Sequence, residues 1–204
     1  MLGVVDYKAG NSTSVLNALN KIGCNGALVK SKDEISKCSG IILPGVGSAD
    51  ATMQSLRDLD LVDFLTDLVM ERKKPFLGIC VGLQVLFKSS EEGNSGCLGW
   101  LPGRVVRFDD NAIRVPQMGW NRVDFKRDSL LLNGIKEGYF YFVNSYYAIP
   151  EDENIILGTT EYGVEFCSVV EYKNIWAAQC HLEKSGEIGL KIFENFAALT
   201  GSLK

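Results

Sequence analysis

The sequence predicts an α/β fold: a parallel central sheet with antiparallel additions and flanking helices. Three observations carry this. Short apolar runs alternate with amphipathic segments through the first half of the 204 residues, strand-like runs follow at hairpin spacing in the second half, and a glycine-flanked cysteine stands where a strand gives way to a helix. Alternation of the first kind marks crossover units, hence parallel strands, and hairpin spacing adds antiparallel ones.

Residues 2–6 read as a strand, and a helix follows over 12–22 with Val15, Leu16, Leu19 and Ile22 at helical spacing. Strands are expected at 27–30 and 40–43, helices at 50–56 and 61–72, and a strand at 76–79 that feeds Cys80. Residues 83–87 are helix-like. Beyond them, 103–108, 115–123, 139–146, 155–162, 166–172 and 175–179 read as strands. A last helix spans 186–198, with Ile188, Ile192, Phe193 and Phe196 on one face. No repeat, low-complexity stretch or linker interrupts the chain, and Pro102-Gly103 is a turn, so 1–204 is expected to form one domain.

Composition narrows the function. The net charge is −4, and the densest basic cluster, Glu71-Arg72-Lys73-Lys74, reads as a helix end, so nucleic acid is not indicated. The six cysteines include no C-x-x-C pair and have one histidine to join them, which argues against a metal site. The first apolar run lacks a basic leader and no run is long enough to span a membrane, so a cytoplasmic protein with reduced thiols is expected.

Gly78-Ile79-Cys80-Val81-Gly82 has the form of a nucleophile elbow, in which glycines permit a strained turn and close approach of strand and helix. The helix N-terminus then favours thiolate. Composition would flank one of six cysteines in this way about 6% of the time, so the strand before, the helix after and a base elsewhere carry the reading. The base is His181, the only histidine, at the end of the apolar run 175–179. In an extended segment residues i and i+2 share a side, which sets Glu183 beside the imidazole as orienter. The backbone N–H of Val81 offers one oxyanion donor. A second is expected from the turn Pro44-Gly45-Val46-Gly47, with Val46 and Gly47 as its candidates.

With these pieces in place the chain resembles the class I glutamine amidotransferases, and more narrowly the HisH family, the glutaminase subunits of imidazole glycerol phosphate synthase. The resemblance runs through six ordered motifs: Asp6-Tyr7-Lys8-Ala9-Gly10-Asn11, Pro44-Gly45-Val46-Gly47, Pro75-Phe76-Leu77-Gly78-Ile79-Cys80, Val115-Pro116-Gln117-Met118-Gly119-Trp120-Asn121, Tyr141-Phe142-Val143-Asn144-Ser145-Tyr146-Tyr147 and His181-Leu182-Glu183-Lys184-Ser185. It implies a flavodoxin-like fold and a triad of Cys80, His181 and Glu183 that hydrolyses L-glutamine through a γ-glutamyl thioester without a cofactor. It also implies glutamine contacts at Gly47, Gln84, Glu92, Ser145 and Tyr146. Asn11, Gln117, Met118, Gly119, Trp120, Asn121 and Lys184 match segments that face a (β/α)8-barrel cyclase in a heterodimer. That cyclase takes up the ammonia in histidine biosynthesis. The resemblance further implies an enzyme nearly idle until its partner binds, with a flip at Gly45 or Val46 as the switch.

The chain departs from the usual family forms at four positions: Gln117 and Asn144 stand where histidines are usual, Cys180 where phenylalanine is, and Leu182 where proline is. Leucine frees the backbone between base and orienter, which puts their preorganisation in question. Three alternatives stay open at this stage: a paralogue feeding ammonia to a surface-sugar amidination enzyme, a catalytically silent binding subunit, and a stand-alone cysteine hydrolase.

Overall fold

The protein is described from a computed structural model covering residues 1–7 and 11–203. Lys8, Ala9 and Gly10 of the first motif lie outside the described residues. The first half builds β1 (Leu2–Val5), α1 (Ser12–Lys21), β2 (Gly26–Val29), α2 (Lys32–Ser36), β3 (Gly40–Leu43), α3 (Ala49–Asp58), α4 (Val62–Thr66), β4 (Phe76–Ile79) and α5 (Val81–Gln84). The second builds β5 (Ser89–Ser90), β6 (Ser95–Gly96), β7 (Gly103–Arg107), β8 (Gln117–Phe125), β9 (Gly138–Asn144), β10 (Tyr146–Pro150), β11 (Ile156–Glu161), β12 (Glu165–Tyr172), β13 (Ile175–Ala178) and α6 (Gly186–Leu199).

The sheet runs β2-β1-β3-β4-β13, all parallel, and continues through β12, β10 and β7 by antiparallel pairing. This is the order of a doubly wound sheet, whose ligands sit outside the carboxyl ends of the strands. β11 joins β12 to β8, and β8 pairs with β9 as a hairpin. β4 is buried along its whole length, as a central parallel strand requires, and its sequence is accordingly an unbroken apolar run. α1 turns Val15, Ala18 and Leu19 inward, and α6 covers the sheet with Ile192, Phe193 and Phe196. Among the described residues no helix is long and apolar enough to cross a membrane.

Four expectations need correction. α5 begins at Val81 and ends at Gln84, not over 83–87, because Cys80 itself is the N-cap and the chain turns again immediately afterwards. The run 139–146 is two strands broken at Ser145, since β9 pairs with β8 whereas β10 pairs with β7 and β12. Residues 61–72 do not form one α-helix: α4 passes into a π-helical turn at Asp67–Glu71. α2 was not anticipated, although Ser31 and Glu34 form a reciprocal capping box that fixes its start.

Two glycines seal the elbow. A Cβ on Gly82 would lie 2.0 Å from the Leu43 carbonyl oxygen, and one on Gly78 would lie 2.4 Å from the Gly82 carbonyl oxygen. Both obstacles are backbone and cannot swing aside. Gly82→Ala is therefore expected to destabilise the fold by about 3 kcal/mol, whereas Gly96→Ala, with open space around its Cβ, stays within about 0.5 kcal/mol. Urea unfolding of the two variants checks the contrast, and equal losses would show that strand and helix are not in contact at Gly82.

Candidate active site

Strand register assembles the site before any side chain is considered. Leu43 is level with Gly78 and Ala178 is level with Ile79, so the turn after β3, the elbow after β4 and the segment after β13 emerge together. Cys80 occupies φ 56°, ψ −108°, the left-handed half of the map that costs a residue with a Cβ about 1–3 kcal/mol. Its backbone holds it there: the N–H donates to Ala178 at 2.8 Å, and the carbonyl accepts from Leu83 at 2.9 Å and Gln84 at 3.3 Å. Cys80 is 4% exposed. Its sulfur lies 3.6 Å from Gln179 Nε2 and 3.9 Å from the Val143 carbonyl.

His181 is buried, and its Nδ1 lies 2.9 Å from Glu183 Oε1. That carboxylate oxygen also accepts from Asn11 Nδ2 at 2.8 Å. Asn11 therefore supports Glu183, a task that its resemblance to a partner-facing segment did not suggest. Glu183 is not on an extended segment, since Leu182–Lys184 forms a 3₁₀ turn, yet it still reaches the imidazole. The freedom expected at Leu182 is removed by packing: its side chain is buried and its carbonyl fills the space beside Gly189. The His181 backbone is tied on both sides as well, its N–H to Tyr141 at 2.8 Å and its carbonyl to Ser185 Oγ at 2.6 Å.

Burial opposes charge on His181, but Cys80 and Glu183 outweigh it and push the imidazole up to about 10. Burial likewise opposes charge on Glu183, and His181 and Asn11 overcome it and hold the carboxyl below its usual range. Cys24, Cys38, Cys97, Cys167 and Cys180 are raised, burial being the main cause in each, as expected of packing residues.

A cleft of about 230 Å³ opens on the thiol, and its lining includes Gly47, Cys80, Val81, Gln84, Glu92, Ser145 and Tyr146. All five residues expected to touch glutamine are thus brought to one wall. Val81 is the first residue of α5, so its N–H has no intrahelical acceptor and is free to serve as a donor. Gly47, at φ 103°, is in the lining, whereas Val46 is 38% exposed. Glu92 Oε2 accepts from Ala49 N–H at 2.8 Å, and burial followed by the charge of Asp50 outweighs that bond and raises its pKa. Gln84 Nε2 donates to the Tyr146 carbonyl and to Gln179 Oε1, each at 3.1 Å. A larger open groove of about 1140 Å³ between Phe125 and Glu137 is lined by neither thiol nor imidazole.

Of the residues expected at a partner surface, Met118, Trp120 and Lys184 are exposed, while Gly119 and Asn121 are half-buried. Gln117 is not on that surface. It is 1% exposed, because β8 alternates and Gln117 falls on the inner side of the strand. Sequence reasoning missed Gln179, which touches the thiol, although the same i, i+2 rule that associated Glu183 with His181 also applies to it. It missed Tyr7 too, which donates to the Pro44 carbonyl at 2.7 Å and pins the start of the turn.

The family model of glutamine amidotransferase class-I matches residues 3–199. The chain is 47% identical over 204 residues to imidazole glycerol phosphate synthase subunit HisH of Maridesulfovibrio salexigens, covering 96% of this chain and 95% of that one. The HisH subunit of Dehalococcoides mccartyi is 48% identical over 198 residues, covering 96% of each. The chain belongs to the HisH family of class I glutamine amidotransferases. The HisH 2 subunit of Pseudomonas aeruginosa is 44% identical, covering 98% of this chain and all of its own. Among solved structures, one described as a glutamine amidotransferase superposes with a TM-score of 0.78 at 20% identity over 98% of both chains, and it shares the fold. PurLQS from Thermotoga maritima does so with a TM-score of 0.77 at 19% identity over 97% of both.

The electrostatics of this HisH-family site set a stability window. A raised imidazole pKa means that the folded protein binds a proton more tightly than the unfolded chain between about 6.5 and 10. The resulting stability is complete below the unfolded value and is lost as pH rises through about 10. The lowered Glu183 works oppositely, adding stability above the usual carboxylate pKa that disappears only in acid. His181→Gln should flatten the decline in unfolding free energy between pH 6.5 and 10, read by urea titration at each pH. An unchanged slope would show that the imidazole does not carry the proton.

Proposed function

We propose that this chain is the glutaminase subunit of imidazole glycerol phosphate synthase, hydrolysing L-glutamine and passing the ammonia to a (β/α)8-barrel cyclase in histidine biosynthesis. The single observation that carries the chemistry is that the elbow cysteine and the only histidine emerge from paired strands, with that histidine bonded to a buried carboxylate. Near full-length identity to HisH subunits supports the pathway.

Glutamine enters the cleft with its side-chain amide toward Cys80. The sulfur attacks the amide carbon while the thiol's proton is held on His181. The developing oxyanion meets the Val81 N–H at the start of α5 and a donor from the turn at Gly47, each such donor being worth about 3 kcal/mol. His181 then protonates the leaving nitrogen, the C–N bond breaks, and ammonia and a γ-glutamyl thioester result. Water activated by His181 hydrolyses the thioester and releases glutamate. Glu183, held by Asn11, orients the imidazole and stabilises its charged form.

Glu92 suits the substrate α-ammonium. Partial burial makes its charge costly, and a cation in the cleft relieves that cost. Exposed Met118 and Trp120 on the hairpin, with Lys184 beside the triad, suit a partner surface. Neutral ammonia is the nucleophilic form, so direct transfer to that partner avoids its protonation in water.

Cys80→Ala and His181→Ala are each expected to lower glutamine-dependent synthesis by about 10⁴-fold or more while leaving synthesis from added ammonia intact. Loss of both activities would mean that the residues only support the fold. Glu183→Gln should do less damage, because it keeps a hydrogen-bond acceptor. Glu92→Gln should raise the KM for glutamine about 10- to 100-fold with a smaller change in kcat, the weight of one charged hydrogen bond. A fall in kcat at unchanged KM would remove Glu92 from substrate binding.

A further inference from the structure

The turn that offers the second oxyanion donor has no internal fastening. Among the described residues, the peptide groups of Gly45, Val46 and Gly47 make no backbone hydrogen bond, and Val46 is 38% exposed. Free N–H groups are what an oxyanion hole needs, but nothing within the turn aims them. The turn is fixed at its two ends instead. The Pro44 carbonyl accepts from the Tyr7 hydroxyl at 2.7 Å, and the Ala49 N–H donates to Glu92 Oε2 at 2.8 Å.

β1 and β3 are parallel neighbours with Val4 level with Ile42, so the segments leaving them emerge together and Tyr7 reaches Pro44. Tyr7 is 1% exposed, and burial, the largest influence on it, pushes its phenol up to about 12, so it stays a neutral donor. Gly45 is the meeting point. A Cβ there would lie 2.6 Å from Val81 Cβ, 3.0 Å from the Gly82 nitrogen and 3.1 Å from Tyr7 Oη. The phenol thus closes on the turn where the turn closes on α5, whose first N–H is the other donor. A peptide is planar, so a held Pro44 carbonyl fixes the Gly45 N–H opposite it and the direction in which the chain enters Val46 and Gly47.

We propose that Tyr7 is a positioning residue for the oxyanion hole: its hydroxyl, through the Pro44 carbonyl, orients the turn whose N–H meets the charge that develops when Cys80 attacks glutamine. This rests on the glutaminase reading above. Tyr7 is not in the lining of the cleft at Cys80, so its hydroxyl acts on the transition state through the turn and not on glutamine itself.

Two reactions of one thiol separate the turn from the rest of the site. Attack on glutamine puts negative charge on the carbonyl oxygen. Alkylation by iodoacetamide does not: the S–C bond forms as the C–I bond breaks, and iodide leaves with the electron pair. Tyr7→Phe keeps the ring and loses the hydroxyl. It is expected to lower kcat for glutamine about 10- to 100-fold, up to the weight of one oxyanion donor, with KM and the rate of Cys80 alkylation each within about twofold of the wild type. Peptide mapping reads the alkylation site, and both reactions are measured with the cyclase bound, which stabilises a weakened fold. A kcat unchanged or raised in Tyr7→Phe, or alkylation that falls in step with kcat, would overturn the proposal. Tyr7→Met, which fills the space without a donor, repeats the measurement if Tyr7→Phe does not fold, and failure of both to fold would show that Tyr7 only supports the structure, overturning it as well. If the wild-type chain alkylates at Cys80 but turns over no glutamine even with the cyclase, the glutaminase reading fails and this inference with it.

Discussion

A cysteine with positive φ at the end of a buried central strand is the constraint on which the rest depends. The conformation is unfavourable for a residue with a Cβ, and it survives because the backbone around Cys80 is bonded on both sides while Gly78 and Gly82 let strand and helix close upon each other. With that turn fixed, register does the remaining placement. The parallel neighbours of β4 are β3 and β13, so the turn at Pro44 and the histidine after β13 have nowhere to emerge except beside the thiol. The fold thus brings the turn at Pro44, Cys80 and His181 together from three neighbouring strand ends.

Burial then sets the electrostatics. The imidazole and the Glu183 carboxylate are each disfavoured as ions by their surroundings, and each is kept charged by the other, with Asn11 holding the carboxylate from behind. Such mutual dependence makes the site rigid as well as charged, because moving one member leaves the others buried without compensation. Beside this charged cluster lies a neutral one: Gln179 touches the thiol and bonds Gln84, and Asn144 lines the same cleft.

Much of this was legible in the sequence, for physical reasons. β4 reads as a continuous apolar run because it is buried on both faces, and α1 and α6 show their inward stripes because each has one buried side. The elbow glycines are visible because no other residue fits the approach. What escaped depends on long-range pairing. Gln117 looks like a surface residue in its motif, yet pairing with β9 turns it inward. Asn11 is brought to Glu183 across 172 positions by the close of the sheet, and no local pattern announces it. The break at Ser145 is invisible to periodicity because both flanking strands alternate in the same way. Gln179, by contrast, was within reach of a rule already in use.

The central claim is that one thiol of six is made reactive by its place in the fold and that glutamine fits against it. Treatment with a chloroketone analogue of L-glutamine followed by peptide mapping tests this directly. The account predicts one adduct per chain, on Cys80, suppressed by excess L-glutamine. Label spread over the other cysteines, or an adduct at Cys80 that glutamine does not suppress, would contradict it.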